Sequence, residues 1–198
     1  MKFADHRNHT ARRASRAGTI AALSLALLAT ALAAPVAAQT CRDNIDSTAP
    51  DSRYDIDSAN GTVYDSATRL TWMRCLVGKS GNSCSGTATT MNWGTALKYA
   101  RDLNAGGGFA GKTDWRLPNA KELGSLVERS CFSPAVNIDA FPGMPSIYYL
   151  WSSTQNHFIT GDAGINTAWT LHLHDGNDYR KPKSNVYPHV LLLVRDDS

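Results

Sequence analysis

The sequence lacks the short patterns that most often carry catalysis. It contains neither a Gly-x-Ser-x-Gly nucleophile elbow nor a His-Glu-x-x-His zinc helix, the local geometries that serine-hydrolase and metalloprotease chemistry require. No nucleotide-binding fingerprint is read in it. Charge is sparse, at 19% of residues, which argues against a nucleic-acid binder working through a broad basic surface. Cysteine is scarcer still: four residues, none in a Cys-x-x-Cys pair, so the common zinc and thioredoxin spacings are excluded. Long apolar runs are confined to the N-terminal region, and no internal repeat or low-complexity segment follows it. What remains to be read is an export signal, turn chemistry and periodicity.

Met1 to Gly18 carries Lys2, Arg7, Arg12, Arg13 and Arg16 against Asp5 alone, and Thr19 to Ala34 is an apolar run rich in Ala and Leu. Pro35 and the small-residue stretch Val36-Ala37-Ala38 follow. This order describes a secretory signal peptide over residues 1–38. A membrane anchor is the competing reading; the Pro35 break and the cleavage site favour removal. Residues 39–198 are then a single domain of 160 residues with no membrane span, exported to the periplasm, the cell surface or the medium. Without the leader, Lys plus Arg falls from 20 to 15 and Asp plus Glu from 17 to 16, a net charge of about −1. No global basic field is left to attract nucleic acid.

All four cysteines lie in the exported part, and an even count in an oxidising compartment reads as two disulfides. Cys75 and Cys84 bracket the turn-rich LVGKSGNS, which favours a local Cys75–Cys84 bridge and leaves Cys41–Cys131. A zinc site is the alternative, and export weighs against it.

Arg53 to Ser58 and Thr62 to Asp65 flank Asn60-Gly61, a hairpin signal because both turn residues tolerate positive φ. Asp55 and Asp57 before that turn resemble part of a calcium loop, but the closing glutamate is missing. A third strand is expected over Leu70 to Cys75. Asn92 caps a predicted helix over residues 93–104, with Trp93, Ala96, Leu97, Ala100 and Leu103 at core spacing. Asn119 caps a second one, and Glu122 three residues on completes a capping box; Glu128 is read as part of its solvated face. Between them stands DWRLPN. In an extended chain Trp115 and Leu117 share one face, Asp114 and Arg116 the other, where their opposite charges can pair. That segment reads as a strand-to-helix joint, with Pro118 blocking an earlier helix start. Further strands are expected over Tyr148 to Ser153, Thr167 to Leu173 and His189 to Arg195, the last as an apolar central strand. The fold class is α+β with short, mostly antiparallel strands, two helices and long loops. Trp151 and Trp169 are assigned to the scaffold.

In sequence order, TVYDSATRLTWMRC, NWGTALKYARDLN, GFAGKTDWRLPNAKEL, CFSPAVNIDAFPG, YLWSST, AWTLHLHDG and VLLLVR resemble the Lcl C-terminal domain family over roughly residues 41–195. The closing block departs from the family's HVRLVR: His189 is followed by VLLLVR, one arginine fewer and one residue more. The resemblance implies a C-type-lectin-like fold related to the formylglycine-generating enzymes, in an exported ligand-binding domain; the namesake adhesin binds sulfated glycans. Some members vary a ligand-binding surface near the C-terminus, and by that analogy the surface here comprises His172, His174, Asp175, Asn177, Asp178, Tyr179, Arg180, Lys181, Lys183 and Tyr187. These residues lie in HLHDGNDYRKPKSNVYPH, where Arg and Lys can meet sulfate or carboxylate oxygens and Tyr can stack on a sugar. A solvated hairpin loop is the plain alternative. His172 and His174 share a face on a strand, but no third metal ligand is evident, and no metal or cofactor is assigned. Ser152 and Ser153 near His157 do not make a triad by sequence proximity. Cysteine-oxidase chemistry would need thiols that the two disulfides remove. The function read from the sequence is therefore a non-enzymatic adhesin-like module for a glycan or another extracellular polymer. The alternative is a protein-binding component of an envelope or pilus-like assembly, and an enzyme on the same scaffold stands third.

Overall fold

The computed structural model describes residues 38–156 and 166–197. The leader assigned to residues 1–38 falls almost wholly outside the described residues, as does His157. The elements are β1 (Thr40–Cys41), β2 (Tyr54–Asp57), β3 (Thr62–Asp65), β4 (Leu70–Met73), α1 (Trp93–Ala105), α2 (Ala120–Ser125), β5 (Cys131–Phe132), β6 (Tyr149–Gln155), β7 (Thr167–His172), β8 (Asp178–Pro182), β9 (His189–Val190) and β10 (Val194–Asp196). The fold is α+β. Strands order as β10-β4-β3-β2 in one sheet and β8-β7-β6-β9 in another, with β1 and β5 pairing alone. All pairings are antiparallel except β6 with β9. No helix among the described residues is long and apolar enough to cross a membrane.

The first hairpin pairs Asp57 with Thr62, so its turn holds four residues rather than the two of an Asn-Gly turn. Asp57 explains the difference: its carboxylate accepts from the amides of Ala59 (3.1 Å) and Asn60 (3.0 Å) and from the Asn60 side chain (2.6 Å). That local bonding widens the turn and occupies the carboxylate that resembled a calcium ligand. Only Gly61 takes positive φ there, at 68°.

Both helix starts follow from their caps. The Asn92 side chain accepts from Thr95 N, and Asn119 and Glu122 form the reciprocal capping box. The apolar stripe of α1 is narrower than its spacing suggests: Trp93, Ala96 and Ala100 are buried, whereas Leu97 is exposed. Gly108 ends the α1 region at φ 78°, and a Cβ there would collide with the Lys112 carbonyl.

The expected single strand over His189 to Arg195 is instead two strands in different sheets. His189–Val190 runs parallel to β6, Val194–Asp196 runs antiparallel to β4, and the intervening leucines are buried. Leu191 and Leu193 still use their carbonyls, accepting from Val77 N and Met73 N. An apolar run signals burial, and it reads alike whether the chain stays in one sheet or crosses between two. Residues of both sheets and both helices, including Trp72, Trp115, Phe141 and Trp151, form one core cluster. Cys41–Cys131 and Cys75–Cys84 are both bonded and no cysteine is free.

Candidate functional site

DWRLPN is built into the scaffold. Trp115 and Leu117 are buried, and the Trp115 indole donates to the Phe109 carbonyl at 2.9 Å. The charges do not pair with each other. Arg116 grips both oxygens of Glu122 at 2.9 Å and reaches Asp196 at 2.8 Å, while Asp114 accepts from Arg195 at 3.0 Å. Arg116 therefore ties the joint to the helix that follows, and both charges tie it to the C-terminal strand, which is remote in sequence. Glu128 also departs from its reading as a solvated helix face. It lies beyond α2, is 4% exposed, and accepts from Ser130 and from the Thr48 and Ala49 amides.

The letters of the sequence do contain one nucleotide-like pattern: Gly106 to Thr113, GGGFAGKT, spells a glycine-rich phosphate loop. A phosphate loop works between a strand and the N-terminus of a helix. Here the stretch follows the end of α1 and closes a turn, with Phe109 and Lys112 exchanging backbone bonds, and no helix begins at it. The stretch therefore lacks the strand-to-helix setting of a phosphate loop.

The ten residues assigned to a ligand surface do not form one loop. Residues 178–182 are strand β8, which pairs with β7, so alternation divides the set between two faces. Register places Tyr149, Trp151, Ala168, Thr170, His172, Tyr179, Lys181 and His189 on one face. Arg180 lies on the other, 5.7 Å from the centroid of Trp169, and Asp178 shares its side of the strand. Lys183 follows the strand and packs 4.6 Å above Trp93, and Tyr187 sits edge-on to Tyr148. His174 lies in the β7–β8 turn, edge-on to Phe132 and 5.9 Å from His172. Among the described residues no three His, Cys, Asp or Glu side chains converge as a metal site would need.

On the first face, four rings stack in order: His172 on Tyr149 (4.2 Å), Tyr149 on His189 (5.3 Å), His189 on Trp151 (4.2 Å). Trp151 is fixed by donating to the Met91 carbonyl at 2.8 Å. Asp175 organises the open end, accepting from His172 Nδ1 (3.2 Å), the Tyr179 hydroxyl (3.0 Å) and Asn177 N (3.0 Å). Burial works against its charge, but these donors prevail and hold its pKa below the ordinary range. The Lys181 ammonium stands 4.2 Å from the Tyr149 centroid and 5.2 Å from that of Tyr179. No carboxylate among the described residues is within ion-pair distance of it, so its charge is held by ring faces alone. Burial, with help from the Lys181 charge, pushes His189 down to about 4, and both its ring nitrogens are buried without partners.

Tyr149 and His189 are absent from the sequence-derived set. The period of two through Tyr149-Leu150-Trp151 was available as a signal, but the parallel pairing that brings His189 beside Tyr149 had none. Ser152 is fully buried and donates to the Trp169 carbonyl at 2.7 Å, and Ser153 donates to the Pro118 carbonyl. Both hydroxyls are spent on the backbone.

A sequence profile of the Lcl C-terminal domain matches residues 61–195. The chain belongs to the Lcl C-terminal domain family. No curated protein and no solved structure matches it. Within the Lcl C-terminal domain the match takes in the first sheet from β3 onward, both helices and the whole ring-stack face; Cys41 and β2 lie before it. Membership marks the chain as an adhesin-like domain.

Proposed function

We propose that this is a non-enzymatic binding module of an exported protein, on a C-type-lectin-like scaffold, which takes an anionic glycan or a similar extracellular polymer on the β6–β9 face. The observation that carries the reading is Lys181 lying on Tyr149 and Tyr179 without a carboxylate partner among the described residues. A sulfate or carboxylate can use a cation that no acid among the described residues neutralises, and the half-buried His172 and Tyr179 rings at the open end offer apolar area to a sugar. Two disulfides fit life in an oxidising compartment.

Retention on immobilised heparin and binding to a glycan array test the proposal. Lys181→Ala and Tyr149→Ala should each weaken binding by about tenfold or more, and Arg180→Ala, on the opposite face, should leave it nearly unchanged. No retention by the parent protein, or equal losses from all three variants, would defeat it.

A second reading draws on a different observation. Ile147, Val186 and Tyr187 are exposed at 55%, 47% and 64%, and Tyr187 packs against Tyr148 beside the same face. An apolar edge of this kind suits a protein partner. Binding lost in Tyr187→Ser and kept in Lys181→Ala would favour it.

A further inference from the structure

A cavity of about 360 Å³ opens between the β2–β3 turn, the loop closed by Cys75–Cys84, and α1. Met73, Leu76, Tyr99, Leu103 and Phe109 supply apolar walls. The cavity shares no residue with the ring-stack face, and its size falls in the range of small-molecule sites.

Its charge is one-sided. Arg74 and Lys79 line it, and among the described residues no Asp or Glu does. Arg74 donates to the carbonyls of Ala140 (3.3 Å), Asn82 (2.8 Å) and Asp139 (3.0 Å), and Lys79 to that of Cys84 (3.1 Å). The ion pairs of the described residues all lie elsewhere. Carbonyl dipoles fix these two cations in place without cancelling their charge, and each head group has more N–H donors than those bonds use. A neutral apolar ligand would leave both charges unanswered, and a cationic one would be repelled. A short apolar tail ending in a carboxylate meets both the walls and the charges.

We propose that this cavity is a binding site for a small amphiphilic carboxylate, an aliphatic or aromatic acid whose apolar part fills the space beside Leu103 and Phe109 and whose head group meets Lys79 and Arg74. The test is titration calorimetry of the oxidised protein with sodium octanoate and with octylamine. Octanoate should bind with one site per chain, and octylamine should not bind. Lys79→Glu should weaken octanoate by about tenfold or more, and Ala59→Trp, at the exposed turn lining the cavity, should block it. Circular dichroism and an unchanged heparin result for both variants would show that the fold and the ring-stack face are intact. The proposal is overturned if octanoate produces no binding, if octylamine binds as well, or if both variants bind octanoate like the parent.

Discussion

The Glu128 carboxylate and the His189 ring are both buried, and acid should lower stability through each of them, in different pH windows. Burial disfavours the Glu128 charge, but donors including the Ser47 and Ser130 hydroxyls outweigh it and hold the pKa at about 2, down from 4.5. A depressed carboxylate contributes stability that is complete above the unfolded value and lost as pH falls through the folded one. For Glu128 that window runs from 4.5 down to about 2. His189 is depressed from 6.5 to about 4, so the unfolded chain takes its proton first. Stability should therefore already fall between 6.5 and about 4, by up to about 3 kcal/mol. His189→Phe keeps a flat ring between Trp151 and Tyr149 and removes two buried nitrogens without partners. Urea melts across pH should show the upper window flattened in this variant, with stability at neutral pH unchanged or higher. An upper window that persists in His189→Phe would mean that another group titrates there.

At the scale of elements, the joint between α1 and α2 is held by an asparagine more than by its charges. Asn104, in the last turn of α1, accepts from Trp115 N at 3.1 Å and donates to Trp115 O at 2.7 Å. Its side chain thus stands in for a neighbouring strand, satisfying both backbone groups of a residue whose own side chain is buried. Asp114 and Asp196, by contrast, are 50% and 72% exposed, where a carboxylate contributes little, and the buried Arg195 keeps Asp197 at 3.4 Å when Asp114 is lost. Asn104→Ala should destabilise by roughly 2 kcal/mol because it leaves two backbone groups unpaired. Asp114→Ala should cost under about 1 kcal/mol. Thermal melts of the two variants decide this, and a larger loss for Asp114→Ala would shift the weight of the joint to its salt bridges.

Across the whole molecule, what could be read in advance was what a few neighbouring residues determine. The Asn92 and Asn119 caps, the buried face of Trp115 and Leu117, and the existence of a first hairpin are local matters, and the structure has them. The crossing of residues 189–196 between sheets, the pairing of Asp114 with Arg195, and the meeting of His189 with Tyr149 are set by tertiary packing. No window of sequence contains both partners of those contacts. The candidate site suffered most, because three of its four stacked rings, Tyr149, Trp151 and His189, come from β6 and β9 and lie outside the expected set of residues.

The two disulfides offer a test at this largest scale. Cys41 and Cys131 stand 90 residues apart and Cys75 and Cys84 only 9. Loop-closure entropy then assigns about 4.6 kcal/mol to the first and about 2.7 kcal/mol to the second. Cys41–Cys131 also keeps the N-terminal segment beside Glu128, whose partners include the Thr48 and Ala49 amides. Cys41→Ser with Cys131→Ser should therefore cost more stability than Cys75→Ser with Cys84→Ser, by about 2 kcal/mol in urea melts at neutral pH. It should also flatten the acid window of Glu128, since the released segment takes donors away with it. The short-loop variant should leave that window in place. Equal losses, or an acid window untouched in the long-loop variant, would show that Glu128 and not the bond holds the N-terminal segment to the core.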